Sequence, residues 1–149
     1  MAASPKGSIN VWPELATGVV PVVAVDPTIT VPALEAWDLE SLEAELDTDA
    51  NAANRLIQVI ITDSSGVEIS RGPIDGTAII ADKVVNYHLA QFGTIPADTA
   101  TDHYDQIATA PKIRVPPGGI IKFVTAALQA GDQFTALKVM ATKYSLPED

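Results

Sequence analysis

Cysteine is absent from this chain of 149 residues, so it has no disulfide, no thiolate metal site and no cysteine nucleophile. Basic residues are scarce: nine Lys and Arg stand against 19 Asp and Glu, a net charge of −10. Wrapping nucleic acid or binding an anionic bilayer needs a basic footprint, and the balance argues against both partners. It favours solubility or docking on a basic partner. Aromatics make up only 5% of the residues, too few for the stacked platforms on which sandwich proteins hold sugars. No run approaches the ~20 apolar residues that a membrane helix needs; the most apolar early stretch, Val19 to Val25, is short and interrupted by Pro21. Met1 to Gly7 carries one lysine and no apolar segment behind it, so a secretory signal is not expected and synthesis in a cytoplasm is.

Catalytic signatures are missing too. No Gly-x-Ser-x-Gly elbow occurs, and Gly118-Gly119 lacks the flanks of a phosphate cradle. Asp47-Thr48-Asp49-Ala50-Asn51 opens like a calcium loop, but Ala52 stands where Gly is needed and Gln58 where a bidentate Glu would bind, which rejects an EF-hand. A looser cation site on these oxygens competes with a plain solvated turn. Asp98, Asp102, His103 and Asp105 crowd one stretch, with His88 the only other histidine, yet their spacing matches no defensible ligand pattern. No cofactor or metal is expected, and an enzyme is disfavoured.

What is present is alternation punctuated by turns. Hydrophobic residues are 47% of the chain, and a single domain of this size buries about 68–70% of its unfolded surface. Ile113 and Val115 alternate with Lys112 and Arg114, the period of a strand with one wet face. Pro117-Gly118 suits the two central positions of a type II turn. Leu137, Val139 and Ala141 alternate with Lys138, Met140 and Thr142, behind a turn at Gln129-Ala130-Gly131-Asp132. Leu56 to Thr62 is a β-branched strand, Asp63-Ser64-Ser65-Gly66 a hairpin turn, and Val67 to Ser70 the return.

Ala33 to Leu46 fits either period: Leu34, Trp37, Leu42 and Leu46 suit a helix face, whereas Leu42, Ala44 and Leu46 alternate with Glu43 and Glu45. An all-β context favours strand from about Leu39, with a short helical turn at Leu34 to Trp37 as the alternative. Ala78 to Phe92 predicts one long or two short strands, and Gly93 to Gln106 a polar loop. Seven or eight strands at this spacing predict an all-β fold, a single β-sandwich, with Trp37, Phe123 and Phe134 in its core.

Residues 1–32 form a separate zone, an extended N-terminal arm ahead of a sandwich domain at 33–149. Pro5, Pro13, Pro21, Pro27 and Pro32 forbid helix there, while Val19, Val20, Val22 and Val23 are too apolar for a solvated linker. The arm either lies along its own domain as an edge strand or adds a strand to a neighbouring subunit. Trp12, Val19, Val20, Val22 and Val23 are the candidate protein-interface residues. Trp12 alternatively caps its own sandwich.

Trp37, Thr48-Asp49-Ala50 to Ala53-Asn54-Arg55, Val115-Pro116-Pro117-Gly118-Gly119 and Leu128-Gln129-Ala130-Gly131-Asp132-Gln133 together resemble small β-sandwich structural proteins of tailed bacteriophages. The likeness spans about Trp37 to Tyr144 and rests on turn and core motifs. Within that group the chain is most similar to jelly-roll capsid decoration, or cement, proteins. The resemblance implies a jelly-roll-like sandwich on the capsid exterior of the virion, homotrimeric, bracing the major capsid protein. A tail- or fibre-associated module that recognises a host glycan or receptor is the alternative.

Overall fold

A computed structural model describes residues 10–17, 20–73, 79–90, 103–109 and 113–147, with backbone alone for 10–17, 73, 90 and 103–109. Ten strands follow in chain order: β1 (Asn10–Thr17), β2 (Thr28–Thr30), β3 (Glu35–Asp47), β4 (Leu56–Thr62), β5 (Glu68–Pro73), β6 (Val84–Ala90), β7 (His103–Thr109), β8 (Arg114–Val115), β9 (Ile120–Ala126) and β10 (Gln133–Ser145). β8 falls in the alternation read at Lys112 to Val115, whereas β2, three residues long, is too short to show a period.

The strands make two sheets. One runs β1-β10-β3-β6-β7, with β8 also on β3; the other runs β2-β9-β4-β5. All pairs are antiparallel except β6–β7, which is parallel. The fold is an all-β sandwich, and no helix occurs among the described residues.

Its frame is a ribbon folded across both sheets. β3 pairs with β10 in the first sheet, ending at Asp47↔Gln133, and β4 pairs with β9 in the second, starting at Leu56↔Ala126. Both strands therefore change sheet side by side, through residues 48–55 on one and 127–132 on the other. This doubled crossing is the jelly-roll-like feature.

Alternation decides which face is buried. Leu39, Leu42, Ala44 and Leu46 of β3 turn inward, and Glu40, Glu43 and Glu45 stay half-exposed on the outer face. A bulge between Met140 and Ala141 keeps Leu39 and Leu42 on one face. Ile57, Val59, Ile61, Ile121 and Phe123 close the core from the second sheet. Each such side chain contributes roughly 1.5–3 kcal/mol by burial. Phe123 and Phe134 meet across the sheets at 6.2 Å, and Trp37, 3% exposed, donates its indole N–H to Glu35 at 2.7 Å.

Strand wins over helix throughout Glu35–Asp47, because β10 and β6 pair with both edges of β3. The Pro117-Gly118 turn forms as expected, with Gly118 at φ 70° and the Gly119 N–H on the Pro116 carbonyl at 2.9 Å. Gly119 can be nothing larger: a Cβ there would stand 2.7 Å from Val115 Cγ1. One expectation fails. The loop predicted over Gly93 to Gln106 ends early, since β7 begins at His103 and lies along β6; the pairing partner, not local polarity, decides that segment.

Candidate functional site

The interior polar feature of the sandwich sits where the ribbon crosses between sheets. Arg55 ends the 48–55 crossing, and its main chain exchanges both hydrogen bonds with Ile79. Its side chain is fully buried and points at the second crossing. Nε donates to Asp132 Oδ2 at 2.7 Å, and Nη2 to Asp132 Oδ1 at 2.8 Å and Asp49 Oδ1 at 2.8 Å. Asp132 also accepts the N–H groups of Asp49 (2.9 Å) and Gln129 (2.7 Å). Asp49 accepts the Gly131 N–H at 2.9 Å and the Asn51 amide at 2.7 Å.

Thr48 extends this clamp to the 79–83 segment: its hydroxyl accepts the Lys83 N–H at 2.9 Å, and its own N–H donates to the Lys83 carbonyl at 2.8 Å. Charges this deep survive only when paired and fully hydrogen-bonded. The four carboxylate oxygens of Asp49 and Asp132 are all engaged, so the calcium-like stretch is not an open ligand set: Asp49 is spent on Arg55, Asn51 and Gly131, while Asp47, Ala50 and Asn51 lie at the surface. Partial burial would raise the Asp49 pKa, but the hydrogen bonds from Asn51 and Gly131 and the Arg55 charge outweigh it and hold the group below its ordinary value.

Sequence reading missed this clamp. Asp132 looked like a turn residue; an arginine directly before the largely apolar strand Leu56–Thr62 was the available signal.

On the outer face, Arg114 of β8 grips Asp38 of β3 with two hydrogen bonds, 2.7 and 2.9 Å. Tyr144 donates to the same carboxylate at 2.8 Å, and the guanidinium lies 4.1 Å above its ring. The Arg114 hydrogen bonds, helped by Tyr144, hold Asp38 below the usual carboxylate range, and bonding to Asp38 pushes the Tyr144 phenol up. This knot ties β3, β8 and β10.

A hollow of about 130 Å³ lies between Glu43, Glu45, Asn86, His88 and Lys138. It is well below the roughly 300–1,000 Å³ of ordinary ligand sites, and no Phe, Tyr or Trp lines it. Among the described residues no three His, Asp or Glu side chains gather as a metal site. Asp98 and Asp102 lie outside the described residues, as do the side chains of His103, Tyr104 and Asp105.

The predicted interface residues are dispersed. Val20, Val22 and Val23 lie together at the surface, with Val25 beside them. Trp12 falls in β1, at the register position opposite Lys143, whereas Pro21 is tied to Gln133 at the far end of β10. Ten residues of strand separate those two positions, roughly 30 Å. Val19 and the Trp12 side chain lie outside the described residues.

The described features define a β-sandwich fastened from within, with exposed apolar groups on the N-terminal segment, on sheet faces and in the connections at Leu34, Val67 and Ile80. No family model and no curated protein matches the sequence. Among solved structures, a chain of infectious bursal disease virus, Gx strain, aligns over 97% of this chain and 34% of its own length, at 11% identity and TM-score 0.38. The VP2 subviral particle of the same virus aligns over 97% and 34%, at 10% identity and TM-score 0.34. A chain of desmodium yellow mottle tymovirus aligns over 100% of this chain and 93% of its own, at 11% identity and TM-score 0.33. The chain thus spans about a third of the length of the bursal disease virus chains. Likenesses of this degree carry no functional argument, and the sandwich is read from its own strand pairing.

Proposed function

We propose that this chain is a structural virion protein, a decoration or cement protein that braces a phage head by binding its major capsid protein from outside, as a homotrimer and without catalysis. The observation that carries the reading is the contrast between interior and surface. Internal charges are consumed in holding the sandwich, while Val20, Val22, Val23 and Val25 stand 42–74% exposed on a chain of net charge −10. Apolar groups presented on a rigid acidic scaffold suit a protein interface. The resemblance of the turn and core motifs to phage sandwich proteins supports the same role.

The division into an arm at 1–32 and a sandwich at 33–149 belongs to this proposal, with Trp12 and Val19 as further interface residues. Parts of that arm are woven into both sheets: β1 pairs with β10 and β2 with β9. Deleting it would uncover two sheet edges, so point substitutions are the cleaner test. Heads of the encoding phage that lack this chain should take up the purified protein to a fixed copy number per capsomer joint in electron microscopy. Light scattering should read three times the 15.7 kDa chain mass. Heads that take up none would sink the reading. A signal on a glycan array would favour the tail or fibre alternative instead.

A further inference from the structure

We infer that the N-terminal segment makes its contact as a fixed apolar knob, Val22-Val23-Ala24-Val25, seated in an apolar pocket with a Lys- or Arg-bearing rim on the partner protein. It does not act as a free arm that adds a strand. This rests on the reading of the chain as a particle-bracing protein and specifies how it would hold on.

A strand-adding arm must offer unpaired N–H and C=O groups along its length. Around residues 21–30 many of those groups are committed to the chain's own sandwich. The Ala24 N–H donates to the Asp132 carbonyl at 2.8 Å, and the Gln133 amide to the Pro21 carbonyl at 2.8 Å. The Asp26 carboxylate accepts both the N–H and the hydroxyl of Thr125, at 3.0 and 2.6 Å. The Pro27 carbonyl takes the Phe123 N–H at 3.1 Å, and β2 follows on β9. These ties fix the segment at Pro21, Ala24, Asp26 and Pro27 and leave the valine side chains between them open to a partner: Val22 is 74% exposed, Val23 49% and Val25 45%.

The turn that presents them is strained. Ala24 sits at φ 62°, a left-handed conformation that costs an L residue energy and persists only where its surroundings over-determine it. Those surroundings are the clamp, since the carbonyl that fixes Ala24 belongs to Asp132, whose carboxylate Arg55 grips. Such strain marks a shape held for use, and a preformed anchor binds without the ordering cost of a loose one.

Charge selects the occupant. A second copy would bring the same −10, and Asp47, exposed, pairs in register with Gln133 next to the knob. A pocket with a basic rim turns that repulsion into attraction.

The test uses heads lacking this chain and reads bound protein by sedimentation. Val22→Ser/Val23→Ser should bind at least tenfold more weakly, with an unchanged urea midpoint, and binding of the unaltered protein should fall as salt rises. Thr17→Cys/Lys138→Cys places the only two thiols at partnered positions of β1 and β10. Oxidised, it should run as a single chain and bind as well as the reduced form. Equal binding by the serine variant, loss of binding on oxidation, or a disulfide-linked oligomer that reveals β1 exchanged between copies would each overturn the knob. Binding indifferent to salt would overturn the basic rim. If the unaltered protein itself leaves the heads bare, the cement reading fails first and the knob with it.

Discussion

Arg55 and Asp132, 77 residues apart and both closed to solvent, meet fork to fork, Nε to Oδ2 at 2.7 Å and Nη2 to Oδ1 at 2.8 Å. The pair joins the two places where the ribbon leaves one sheet for the other. It thus locks the crossing itself and, through the Asp132 carbonyl, the turn at Ala24.

Arg55→Met should destabilise the protein by about 3–5 kcal/mol, because it strands a buried carboxylate. Arg55→Lys should restore little, since one ammonium cannot reproduce the planar fork. Urea unfolding with an unchanged slope would check both; a loss within 0.5 kcal/mol, the range of about ±0.5 seen for surface changes, would show the clamp to be ornamental.

Gly131→Ala should cost roughly 1–3 kcal/mol, as overpacking does. Its Cβ would lie 2.7 Å from Asp49 Oδ2 and 2.8 Å from Asp49 Cβ, so the carboxylate that binds Arg55 must move. Gly72→Ala, with nothing within 4 Å of the added carbon, is the control and should leave the urea midpoint almost unchanged.

Thr62→Val should raise stability by about 1 kcal/mol. Thr62 is 2% exposed, and its hydroxyl finds no partner among the described residues; a buried polar atom left unpaired costs ~1–3 kcal/mol. Thermal and urea midpoints should both rise, and a fall would mean that the hydroxyl is satisfied in solution.

Acid should loosen the molecule in a defined direction. Asp38 and Asp49 are both held below the ordinary aspartate value, so the folded state binds their protons less readily than the unfolded chain does. Their contribution is complete above the unfolded value of about 3.9 and is lost as pH falls through the lower folded values. Melting temperature followed from pH 6 to pH 2, pH values bracketing about 3.9, should drop at the acid end. Asp38→Asn should flatten that drop. An unaltered slope would remove Asp38 from the account.

Much of the strand inventory was legible because its signals are local. Leu137, Val139 and Ala141 are buried on β10, and Leu56 to Thr62 is β4. The Asp63 to Gly66 turn closes as expected, with Gly66 at φ 83°. Where two periods overlapped, over Ala33 to Leu46, the pairing of β3 with β10 decided for strand from Glu35 on, with Ala33 and Leu34 in a turn. At His103, polarity misled, because a parallel partner 19 residues back in register, Val84, recruits the segment. Of the candidate interface residues, Val20, Val22 and Val23 are exposed, but nothing in their order tells that Trp12 falls in register at the opposite end of β10.

Alternation and turn chemistry act over a few residues, so the chain's order alone determined that it would be strands, where most of them turn, and which side chains prefer the inside. Folding in three dimensions decided which strands became neighbours, that Arg55 would be buried against carboxylates six and 77 residues away, and that Ala24 would be pinned to Asp132. Those outcomes depend on contacts between distant segments, and their energy exists only once both segments have left water together.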